Sequence, residues 1–160
     1  MFFKNKVNVG VYCDRKVTRL FSQEQEATWD DLRKRCNDTH LNQADRNLYY
    51  DNLRAVMLDL MFIPIIKTYS DSNVRGEAHA SVDDYLDTRG LTRIASLMGE
   101  YNRAFGSSST DGVEQMVSLF AKNLTQSNMG VPARQLFYTE FCAELRALSK
   151  EFESVKLVAA

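Results

Sequence analysis

From residue 6 to residue 21 apolar and polar side chains alternate, with Val7, Val9 and Val11 on one side and Lys6, Asn8, Gly10 and Tyr12 on the other. Asp14-Arg15 supplies a turn and Val17, Arg19 and Phe21 resume the alternation, so a period of two predicts a β-hairpin over 6–21. A lone hairpin is marginal in water, and its valine face needs helices or a partner's sheet to cover it.

Beyond residue 21 the period lengthens to that of a helix. Ser22 with Gln25 forms a capping box, which predicts a helix over 23–38. Trp29, Leu32 and Cys36 line its inner face, and Asp30, Asp31, Arg33 and Lys34 face out. Asn42 with Asp45 opens a second helix whose stripe, Leu48, Tyr49, Leu53, Val56, Met57, Leu60 and Phe62, broadens until Pro64 kinks or ends it. Residues 68–81 lack periodicity and read as a surface loop. Leu91, Ile94, Met98, Tyr101 and Phe105 make a third helical seam. Asp111 with Glu114 starts a fourth helix carrying Val113, Met116, Val117, Phe120 and Leu124. Pro132 then suits the first turn of a fifth, whose stripe Phe137, Phe141, Leu145, Leu148, Phe152 and Val155 continues to about residue 157. The expected architecture is mainly α: one domain, with the 6–21 hairpin ahead of a bundle of about five helices over 23–157.

Length and composition agree with one domain that buries a core, since 160 residues at 44% hydrophobic exceed what a stable core needs and fall short of two domains. The most apolar run, Val56 to Ile66, is far shorter than a membrane span and contains Asp59 and Pro64. Met1-Phe-Phe-Lys-Asn-Lys has no signal-peptide pattern, and Cys13, Cys36 and Cys142 are too few and too widely spaced for a disulfide framework. Free thiols and a cytoplasmic location are the expectation, and Asn37-Asp-Thr39 and Asn123-Leu-Thr125 are discounted as glycosylation sequons.

Four groupings could carry chemistry, and each has a simpler reading. Cys36 and His40 could share a helix face as half a zinc site completed by His79 and Cys142, but a structural zinc site uses two close pairs and only one exists. Cys13, beside the expected turn, reads as the exposed thiol, and Cys142, among Phe137, Phe141 and Leu145, as a buried one; neither has a distinctive base nearby. Gly106-Ser-Ser-Ser-Thr-Asp-Gly112 lacks the lysine of a phosphate-binding loop and reads as a helix connection. Asp83, Asp84 and Asp87, like Asp30-Asp31, could meet a hard cation but also suit helix starts. No catalytic, metal or cofactor site is expected.

Charge adds one asymmetry. Residues 4–35 carry a net +3 and leave −4 for the rest. Arg15, Lys16 and Arg19, with Tyr12 alongside and Arg33 and Arg35 on the next helix, are therefore the candidate contacts for phosphate or an acidic partner. The isoelectric point near 6.1 is low for a dedicated nucleic-acid binder.

The stretch Lys6 to Cys36, with Thr28-Trp-Asp-Asp-Leu-Arg-Lys-Arg after two expected strands, resembles the ββα opening of a ubiquitin-like β-grasp, over about a fifth of the chain. The helix expected from Asn42 stands where that fold needs a third strand. Asp87-Thr88-Arg89 together with the length is similar to the coats of rod-shaped plant viruses, which would imply a helical bundle holding RNA. Neither resemblance assigns a family. The functional expectation is a non-enzymatic protein-interaction or assembly module that self-associates through strand edges or helix faces. The alternative is a nucleic-acid-facing coat subunit or small regulator using the basic N-terminal surface.

Overall fold

The computed structural model describes residues 4–36, 41–106, 112–125 and 132–160, which form a mainly helical fold with one short strand pair. The elements are β1 (Asn5–Asn8), α1 (Val9–Leu20), α2 (Gln23–Cys36), α3 (Gln43–Thr68), α4 (Ser72–Thr88), α5 (Thr92–Gly106), α6 (Gly112–Thr125), α7 (Pro132–Ser154) and β2 (Val155–Val158). Seven helices among the described residues replace the expected five, and the two additions are α1 and α4.

The expected hairpin over 6–21 is corrected to a four-residue strand followed by a helix. Asn8 caps α1, its side chain accepting a hydrogen bond from the Val11 amide at 3.1 Å. The helix buries Val9, Tyr12, Cys13, Val17 and Leu20, whereas Val11, which alternation placed with the other valines, is 53% exposed. Spacings of three, one, four and three put those five residues on one helix face, so helical packing buries more than either face of a strand would. β1 instead pairs in parallel with β2, Val7 opposite Leu157. The expected helical end of the chain is corrected accordingly: α7 stops at Ser154, and Val155 begins a strand. The outer side of β2 is covered where the Leu157 amide donates to the Tyr69 hydroxyl at 2.8 Å.

Ser22 turns α1 into α2, its hydroxyl donating to the Arg19 carbonyl and accepting from the Gln25 amide. Arg54 of α3 fixes this corner from below, reaching the Leu20 carbonyl, Glu26 and Asp51 while its guanidinium lies over the Phe21 ring. α3 begins at its expected cap, Asn42 accepting from the Asp45 amide at 2.9 Å, and occupies the middle of the molecule. Pro64 does not end it. The helix continues to Thr68, because Leu60, Met61, Phe62 and Ile65 are all buried around the proline and their packing offsets one lost amide bond.

The loop expected over 68–81 is corrected too. Asp71 accepts from the Asn73 amide and starts α4, which buries Val74, Ala78, Val82, Tyr85 and Leu86. Those spacings are helical, but the first side chains are small, so the stripe is faint. α4 turns back into α5 through a Schellman cap: Leu91 N–H donates to the Leu86 carbonyl, Gly90 N–H to the Asp87 carbonyl, and Gly90 has φ of 65°. Inside the bundle, Tyr101 and Asn123 both donate to the Asn52 side-chain oxygen, while the Asn52 amide donates to the Leu48 carbonyl. Residues 107–111 of the glycine-serine segment and His40 lie outside the described residues, as does the side chain of Cys36. No described helix is long and apolar enough to cross a membrane.

Candidate functional site

The basic residues singled out in the sequence do not form one free surface. Tyr12, Arg15, Lys16 and Arg19 share a shallow depression on α1 that includes Glu151 of α7. Tyr12 is buried there and donates to Glu151 at 3.2 Å, and the Lys16 ammonium pairs with the same carboxylate at 2.7 Å. Glu144, two helical turns before Glu151 on α7, also feels Lys16 and Arg19, although burial holds its carboxyl above the usual range. Arg33 is 3% exposed, where its expected outward direction is corrected, and it bonds Asp30 of its own helix. Arg35 is exposed on α2 and acts on Glu140, whose carboxyl burial pushes up while Trp29 donates to it. An acidic stripe on α7, Glu140, Glu144 and Glu151, therefore faces the basic side chains of α1 and α2, and Glu151 pairs with Lys16 directly. Arg15 stays exposed.

A different concavity has the character of a binding site. It lies in the angle between α3, α4 and α5 and encloses about 430 Å³. The Schellman turn at Gly90 folds α4 against α5, so Leu86 and Met98 face each other across the gap, and α3 closes the floor with Phe62 and Ile63. Ile66 at one edge is 48% exposed. A second depression of about 460 Å³ continues the groove along the α4–α5 seam, sharing Asp83, Leu86 and Ala95 and adding Asp84, Asp87 and Leu91. The result is an apolar trough with an acidic rim.

In its floor sits Asp59. Its Oδ2 is enclosed and has no hydrogen-bond partner among the described residues, and desolvation pushes the carboxyl up to about 8. His79 and Asp83 from α4 and Asn102 from α5 line the same groove, and Tyr101 of α5 is close enough to feel its charge. His79 is stacked on the Phe62 ring at 4.2 Å. None of Asp59, Asp83, Asp84 and Asp87 forms an ion pair among the described residues. No group of three potential ligands is placed to hold a metal ion among those residues either.

Sequence reasoning passed over Asp59, using it only to break the apolar run Val56 to Ile66. A lone carboxylate on a fully apolar stretch of helix was itself the available signal, since such a group needs a partner or a vacancy for one. The thiols are placed opposite to expectation, Cys13 buried and Cys142 exposed, because the hairpin reading put Cys13 at a turn and the aromatic neighbours of Cys142 lie on the other face of α7. Comparison with models of protein families, with curated proteins and with solved structures finds no match.

Proposed function

We propose that this chain is a non-enzymatic protein-interaction module that receives a helical segment of a partner in the α3–α4–α5 groove. The supporting observation is the groove itself: an open, apolar, three-helix angle, the place where a further helix packs ridge into groove. Binding is favoured over covalent catalysis because, among the described residues, no cysteine, serine or lysine lines the trough around Asp59. The nucleic-acid reading has less support, since Lys16 is spent on Glu151 and the open trough is rimmed by carboxylates.

Ala95 is exposed and lines both parts of the groove, so Ala95→Trp fills it without disturbing the core. Displayed libraries of amphipathic helical segments, selected on the full chain, are expected to yield binders that this variant weakens by about tenfold or more. Selection that returns no binder sensitive to Ala95→Trp sinks the proposal.

Self-association is a second reading, favoured by one observation. β1 has no backbone partner on its outer side among the described residues, and a two-strand sheet is a weak unit until extended. Light scattering that gives the monomer mass at every concentration removes it.

A further inference from the structure

We infer that the segment received by this groove is an amphipathic helix carrying one lysine or arginine within its apolar face, seated on Asp59. This rests on the reading of the groove as a docking site and adds the chemistry of its occupant. Three observations converge on a cation set among apolar side chains. Phe62, Ile63, Leu86 and Met98 surround the site with hydrocarbon, which selects an apolar face. Asp59 lines the groove and its Oδ2 is enclosed without a donor among the described residues, so an incoming ammonium or guanidinium meets a carboxyl that the fold leaves unpaired. Asp83, Asp84 and Asp87 continue the negative charge along the α4–α5 seam with no ion pair among the described residues, so the field favours a basic segment and disfavours an acidic one.

A free amine would fill only the floor around Asp59 and leave the seam lined by Leu91 and Ala95 open. A helix laid along α4 and α5 covers the whole trough and sends one long side chain down to the carboxylate, its aliphatic stem packing on Phe62 and Met98 on the way. His79 lies flat on the Phe62 ring, so its imidazole forms part of the groove wall.

The binders selected on the full chain read this out through their sequences. A lysine or arginine is expected at one position of the apolar face in the groove-dependent clones. Exchanging that residue for norleucine, measured by fluorescence anisotropy with the wild-type chain, is expected to weaken binding about tenfold or more. Asp59→Asn, checked for folding by circular dichroism, is expected to weaken the basic peptide similarly and to leave the norleucine peptide within about twofold. Groove-dependent clones with no basic residue, or equal losses for both peptides in Asp59→Asn, overturn the inference while docking stands. Absence of any clone sensitive to Ala95→Trp overturns docking and this inference together. The norleucine exchange gives the answer even where Asp59→Asn fails to fold.

Discussion

Cys13 lies at 0% exposure on the inner face of α1, and desolvation pushes its thiol up to about 12, so the reactive thiolate is scarce at any physiological pH. Cys142 is exposed on α7 and open to a reagent from solvent. An alkylating reagent followed by peptide mapping is therefore expected to label Cys142 first and Cys13 only at the rate of unfolding; equal labelling of the two in the native protein contradicts this placement. The reversal of their roles shows what single residues do and do not disclose. A cysteine among phenylalanines looks buried in sequence, yet on a helix the next residue after Phe141 points about 100° away. Asp59, though passed over, carried a readable signal for the converse reason, because no rotation of a helix that is apolar all round gives a carboxylate a comfortable position.

At the level of elements, caps and long apolar stripes were readable, and short ambiguous stretches were not. Ser22 with Gln25 and Asn42 with Asp45 made their expected bonds, since a capping side chain acts within three residues and needs no tertiary context. The stretch Val7 to Phe21 satisfied two periods at once, and the elements packed against α1, α4 foremost, decide between them. The same locality makes Gly90 a sharp test of how the groove is shaped. A Cβ there meets nothing within 4 Å, so Gly90→Ala carries only the left-handed backbone cost, about 1 kcal/mol. Urea denaturation is expected to report that loss; an unchanged midpoint means the Schellman turn does not hold α4 to α5 as described.

For the whole molecule, the direction of the carboxyl shifts sets the pH profile of stability. Burial raises Asp59 from 3.8 to about 8 and also raises Glu140 and Glu144, so the folded chain holds these protons more tightly than the unfolded one. A raised folded value contributes stability that is fully present below the unfolded value and is lost as pH climbs through the folded one. The window for Asp59 is therefore about pH 4 to 8. Asp30 and Glu114 shift the other way, but Glu114 is solvated and its pair with Arg134 is a surface one. The balance leaves the protein more stable near pH 5 than near pH 8, by a few kcal/mol at most since partial exposure of Asp59 softens its share. Urea titrations at fixed ionic strength check it: the midpoint is expected to fall between those values in the wild-type chain and to fall much less in Asp59→Asn. A profile that rises toward pH 8 would mean that Asp59 already has a donor in the folded protein, and the groove would then hold no charge vacancy for a partner to fill.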